Sequence, residues 1–226
     1  MWPRKSPAER GGMQGLVDAL KEEGLLQTPA VEAAFLAADR AGFVGDLPRE
    51  AAYEDAPQPI GLDQTISAPH MVAIMVEALG ALPGMRVLEV GGGSGWHAAV
   101  LASLVRPGGR VVTVERLERL AQFARANLER AGFADTVEVV VGDGTLGHPA
   151  GAPFDRISVA AAAPHVPQAL VDQLRTDGGR LLVPVGPLAR QELVSVEVQG
   201  GAVRRRNLGG CVFVPLVGAD GYPASP

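Results

Sequence analysis

Cysteine is nearly missing: Cys211 is the single one among 226 residues, so no internal disulfide can form and a cytoplasmic protein is expected. Between "GG" and "VFVP", with no activating neighbour, it reads as a buried strand thiol and not a nucleophile. A basic surplus is also lacking. The net charge is −5, and the run Arg204 to Arg206 is too short for a polyanion patch, so nucleic acid is not an expected partner. No apolar run approaches the ~20 residues needed to span a bilayer, so no membrane partner is expected. The opening "MWPRKSPAERGG" has charge without an apolar h-region and does not read as a secretory signal. No repeat is present, and His97, His148 and His165 show no metal-ligand spacing. No metal is expected.

What is present is alternation. Residues 1–12 read as a flexible tail and 13–82 as a helical and substrate-cleft segment. In "MQGLVDALKEEG" Leu16, Val17 and Leu20 share a face before Gly24, and "TPAVEAAFLAADR" offers Thr28 as N-cap with Pro29 behind it. The polar stretch "LPREAAYEDAPQPIGLDQTISAP" is too long for an ordinary connection and reads as a functional loop. "PHMVAIMVEALGAL" returns to helix. Residues 83–226 then alternate: strands at "RVLEV", "RVVTVE", "TVEVVVGD", "FDRISVAAA" and "GRLLVPVG", helices at "WHAAVLASLV", "LERLAQFARANLERAG" and "VPQALVDQL". This is α/β patterning, a mostly parallel, doubly wound sheet covered on both faces. The closing "QELVSVEVQGGAVRRRNLGGCVFVPL" reads as antiparallel strands turning at Gly200 and Gly201.

The glycine cluster "RVLEVGGGSGW" lies between strand and helix, where backbone N–H groups can meet a ligand. A dinucleotide fingerprint needs a small residue where Trp96 stands when counting from Gly91, and no Walker lysine follows the glycines. What remains is G-x-G-x-G, in which Gly91, Gly93, Ser94 and Gly95 resemble the S-adenosylmethionine loop of Rossmann-like methyltransferases. Glu115 ends the second strand about 20 residues on, where an acid can accept ribose hydroxyls. Asp143, with Gly144 in "VVVGDG", could receive an adenine amino group, and Glu89 could partner the loop backbone or the cofactor's amino group.

The segments "AYEDAPQPIGLDQTISAPHMVAIMVEAL", "VLEVGGGSGWHAAVLA", "VVVGDG", "PFDRISVAAAAPHVPQAL" and "FVPLVG", in this order, resemble the protein-L-isoaspartate O-methyltransferases. The resemblance departs at Gly92, Trp96 and His97, where Thr or Ser, Tyr or Phe, and a residue other than His are usual. It implies a Rossmann-like S-adenosylmethionine-dependent methyltransferase fold with a helical N-terminal segment. It also implies methyl esterification of L-isoaspartyl residues in damaged proteins and peptides, the ester then closing to a succinimide, with S-adenosyl-L-homocysteine as the other product. A substrate carboxylate with a pKa of about 4 is already ionised, so no general base is required. The resemblance makes Ser67 the hydroxyl that orients it, Gln64, Thr65 and Ile66 the cleft lining, and Val214 part of a peptide-clamping segment. From spacing alone Ser67 reads first as an N-cap with Pro69 just inside the helix. His70 reads as a packed helix-start residue or a catalytic one. A same-fold enzyme esterifying aspartate in a modified peptide, or a non-catalytic cofactor-binding module, would share most of these features.

Overall fold

The computed structural model describes residues 11–223, so the expected tail, apart from Gly11 and Gly12, lies outside the described residues. Helix α1 (Met13–Glu22) buries Leu16, Val17 and Leu20, and the chain leaves it through Gly24 at a φ of 73°. Helix α2 (Pro29–Ala37) starts behind Thr28 as its spacing predicts, but the Thr28 side chain makes no cap bond. Instead the Glu77 carboxylate accepts the N–H groups of Gln27 and Thr28 at 2.7 and 2.9 Å.

The long polar stretch is more ordered than its composition suggests. It contains a 3₁₀ turn at Ala51–Tyr53 and a hairpin of β1 (Gln58–Gly61) and β2 (Gln64–Ile66). The turn residues Leu62 and Asp63 have φ of 54° and 56°, a left-handed pair without glycine, which is why the hairpin signal is weak in sequence. Helix α3 (Pro69–Leu79) follows and ends at left-handed Gly80.

The strands β3 (Arg86–Val90), β4 (Arg110–Glu115), β5 (Val137–Val141), β6 (Arg156–Val159), β7 (Asp177–Val185), β8 (Gln191–Gln199) and β9 (Ala202–Cys211) form one sheet in the order β5-β4-β3-β6-β7-β8-β9. Pairing is parallel from β5 to β7 and antiparallel for β7–β8 and β8–β9, as expected. Helices α4 (Trp96–Val105), α5 (Glu118–Arg130) and α6 (Gln168–Asp172) connect the parallel strands. Successive residues of β3 enter opposite apolar clusters, Val87 with α1–α4 and Leu88 with Ile157, Leu170 and Leu181. Both are fully buried, each stabilising the fold by about 1.5–3 kcal/mol. The chain crosses from β5 back over to β6 on the far side of β3, so a crevice opens at the carboxyl ends of β3, β4 and β6.

Candidate active site

The glycine loop fills that crevice mouth, between the end of β3 and the start of α4. Gly91, Gly93 and Gly95 take φ of 92°, 51° and 87°, a path that side chains rarely allow. Gly92 is constrained by space, since a Cβ there would lie 2.7 Å from Thr113 Oγ1. The neighbouring strand pins the loop: Val114 C=O accepts from Gly91 N–H and Glu115 Oε2 accepts from Gly93 N–H, each at 2.9 Å. Glu115 Oε1 accepts from Leu117 N–H at 2.8 Å, so this acid orders both the loop and the turn after β4.

Three compartments meet at the loop. The first is lined by Gln64, Thr65, Gly91, Gly93, Glu115, Gly144 and Val214. The second, small and polar, is lined by Ile66, Ser67, Glu89, Ser94 and His97. The third is a mainly apolar groove of about 500 Å³ between Pro57, Ala68 and Met71 on one side and Cys211, Phe213 and Val214 on the other. Ser67 borders the second and third, and Thr65 borders all three. The helix behind Ser67 is capped at Ala68 with no side-chain bond, so Ser67 is not its N-cap. The Ser67 carbonyl accepts from Arg40 Nη2 at 3.1 Å.

Gly95 and Asp143 line none of these compartments. Gly95 faces α5, where a Cβ would come within 3.2 Å of Leu128 Cγ. Asp143 Oδ1 accepts from the N–H and hydroxyl of Thr145 at 2.9 and 2.7 Å, and its Oδ2 accepts from Ala219 N–H at 2.7 Å. Burial raises the Asp143 pKa, but these donors, with Arg116 nearby, outweigh it and hold the carboxyl below its ordinary value. Its neighbour Gly144 does reach the first compartment, and a Cβ there would run into Val90. Val214 C=O accepts from Ala162 N–H at 2.8 Å, which fixes Val214 on the wall shared by the first compartment and the groove.

Glu89 is fully buried. Its Oε2 accepts from Thr113 Oγ1 at 2.5 Å and its Oε1 lies 3.4 Å from His97 Nδ1. The loop N–H held by a strand-end acid belongs to Gly93, and its acceptor is Glu115, not Glu89. Burial pushes Glu89 up to about 8, against the Thr113 hydrogen bond and helped by Glu115. Burial also pulls His97 down to about 4, so both are neutral near pH 7. Sequence reasoning gave His97 no part here, because a single histidine on an apolar helix carries no signal of the strand residue it faces. Arg40, at the end of "TPAVEAAFLAADR", likewise carries no local signal of the segments it meets. Cys211, half-buried at the end of β9, has its thiol raised to about 11 by burial, in keeping with an inert side chain. His70 sits with its Nδ1 2.9 Å from Asp55 Oδ1 at the groove.

A parallel sheet wound to both sides of β3, a glycine turn without a Walker lysine and an acid ending the next strand define a Rossmann-like S-adenosylmethionine-dependent methyltransferase. The profile of the protein-L-isoaspartate (D-aspartate) O-methyltransferase family matches residues 12–221. A protein-L-isoaspartate O-methyltransferase of Methanopyrus kandleri is 53% identical over 94% of this chain and 94% of its own length. One of Hyperthermus butylicus is 49% identical, covering 98% of this chain and 95% of its own. Among solved structures, a protein-L-isoaspartate O-methyltransferase superposes with a TM-score of 0.84 at 32% identity, over 92% of this chain and 67% of that one. A Plasmodium falciparum protein of the same description, in complex with S-adenosyl-L-homocysteine, gives 0.83 at 27% identity, over 92% of this chain and 99% of that one. The chain belongs to the protein-L-isoaspartate O-methyltransferase family.

Proposed function

We propose that this enzyme moves the methyl group of S-adenosyl-L-methionine to the carboxylate of L-isoaspartyl residues in damaged proteins and peptides, with Ser67 orienting that carboxylate. The observation that carries the reading is the position of Ser67, bordering both the polar compartment at the glycine loop and the apolar groove, with its hydroxyl released from the helix cap.

The residues fit the cofactor. Left-handed glycines bring bare backbone to the first compartment, Glu115 ends β4 beside it, and among the described residues Glu89 Oε1 is buried without a hydrogen-bond partner, as an acceptor for an amino group would be. When bound, S-adenosyl-L-methionine supplies an electrophilic methyl on a sulfonium and leaves as S-adenosyl-L-homocysteine. The chain's own task is placement. Ser67 Oγ donates to one carboxylate oxygen and turns the other toward the methyl, and the groove holds the flanking peptide so that the pair stays aligned. Val214, on the wall shared by the first compartment and the groove, is suited to hold an extended peptide beside the cofactor. Negative and positive charge cancel as the transition state forms, so the low polarity of Ala68, Met71 and Phe213 around Ser67 favours it. The adjacent backbone nitrogen of the substrate then attacks the methyl ester, expelling methanol and closing a succinimide without further help.

In this reading residues 13–82 supply one wall of the substrate groove, residues 211–214 the other, and the sheet that starts at Arg86 the cofactor side. A cytoplasmic location is part of it, supported by the single cysteine. Ser67→Ala tests the assignment. Turnover should fall about 100-fold or more, the usual cost of removing one orienting donor, while S-adenosyl-L-homocysteine still binds within about threefold. Unchanged turnover would remove Ser67 from the mechanism.

A further inference from the structure

Arg40 opens the 3₁₀ turn Arg40–Phe43 and is fully buried. Its guanidinium meets backbone carbonyls from two separate segments. Nη1 donates to Ala52 C=O at 2.7 Å and Glu54 C=O at 3.4 Å, while Nη2 donates to Ala56 C=O at 2.9 Å and Ser67 C=O at 3.1 Å. Its Cζ lies 5.2 Å from the centre of the Trp96 ring, and Trp96 is the first residue of α4, directly after the glycine loop. The indole is itself fixed, donating to Ala38 C=O at 2.8 Å and meeting Phe35 edge-on. The preceding residue strengthens the grip, because Asp39 Oδ1 accepts from Tyr53 OH at 3.0 Å.

We propose that Arg40 is a positioning residue for methyl transfer: by holding the Ser67 carbonyl and the 52–56 loop against Trp96, it sets where the Ser67 hydroxyl stands relative to the glycine loop. The inference rests on the reading of Ser67 as the substrate-orienting residue. Packing alone does not call for a charge here. A buried cation whose partners are all neutral carbonyls is a costly way to fill space, and an apolar side chain of similar volume would fill it more cheaply. A planar fork of donors does something an apolar side chain cannot: it fixes two chain segments in direction as well as distance. Burial lowers the Arg40 pKa to about 10, with Asp55 and Glu54 opposing, so the fork stays charged at neutral pH. Transfer between Ser67-bound carboxylate and a methyl at the glycine loop depends steeply on that spacing, a displacement of about 1 Å costing on the order of 100-fold.

The test is a double-mutant cycle with Arg40→Lys and Arg40→Gln, each alone and combined with Ser67→Ala. Turnover at saturating cofactor and the affinity and stoichiometry of S-adenosyl-L-homocysteine are read in all variants. Positioning predicts that each Arg40 variant binds S-adenosyl-L-homocysteine at full stoichiometry within about threefold, while turnover falls about 100-fold. In the combined variants turnover should be no lower than in Ser67→Ala alone, because both changes remove the same alignment. Additive losses would overturn the proposal, as would losses that only track the fraction of protein still binding S-adenosyl-L-homocysteine, since Arg40 would then serve the scaffold alone. Full turnover in Ser67→Ala would instead overturn the Ser67 reading, and a loss there with unimpaired Arg40 variants would overturn this proposal only.

Discussion

At the scale of single residues, Glu89 and His97 carry the sharpest pH signature. Glu89 has its folded pKa raised from 4.5 to about 8, so its contribution to stability is complete below pH 4.5 and is lost as pH rises through about 8. His97 is lowered from 6.5 to about 4, so its contribution is complete above pH 6.5 and is lost as pH falls through about 4. Each window is worth on the order of a few kcal/mol. Urea denaturation from about pH 4 to about pH 9 should show Glu89→Gln removing a fall in stability that runs from about pH 4.5 to about pH 8, and His97→Asn removing a rise that runs from about pH 4 to about pH 6.5, each as a pH-dependent difference from the parent protein. Differences that do not vary with pH would contradict the assigned burial. The loop glycines are legible in sequence because they stand within one short motif, whereas the role proposed for Ser67 comes from the family resemblance, its spacing alone favouring a helix cap. His97 and Arg40 are not legible, because their neighbours lie on other elements: Glu89 on β3 for the first, Ala52 to Ser67 and Trp96 for the second.

Among the elements, β3 to β8 follow the sequence pattern closely, since apolar runs bounded by glycine or charge have few other places to go, while β9 ends at Cys211, short of the strand expected through Leu216. Two further segments depart. The helix read over 166–174 spans only Gln168–Asp172, because Leu174 leaves it to bridge Phe154 and complete an apolar cluster. The β1–β2 hairpin carries only a weak signal in the sequence because its turn is Leu62-Asp63, where neither residue favours positive φ as glycine does. That turn makes a prediction of its own. Leu62→Asn with Asp63→Gly supplies residues suited to a left-handed pair and should raise stability by about 1 kcal/mol, read as a shift in denaturation midpoint. A lowered midpoint would mean that Leu62, still 43% exposed, contributes packing that outweighs the strain.

For the molecule as a whole, the N-terminal helices and the sheet share one core. Phe35 of α2, Val76 of α3, Trp96 of α4 and Val111 of β4 belong to the same buried cluster. Trp96 is 1% exposed and joins this cluster to Ala38 and Arg40, so the substrate side and the cofactor side are expected to unfold together. Calorimetry should show a single transition, and Trp96→Ala should cost about 3–5 kcal/mol without splitting it. Two transitions would mean that the segment carrying Ser67 is held less firmly than its packing indicates. The activity as a whole turns on which carboxylate receives the methyl group. Its most direct test offers the enzyme labelled S-adenosyl-L-methionine and two peptides that differ only in carrying L-isoaspartate or L-aspartate at one position. The account predicts base-labile label on the isoaspartyl peptide alone; equal label on both, or label on neither while S-adenosyl-L-methionine still binds, would contradict it.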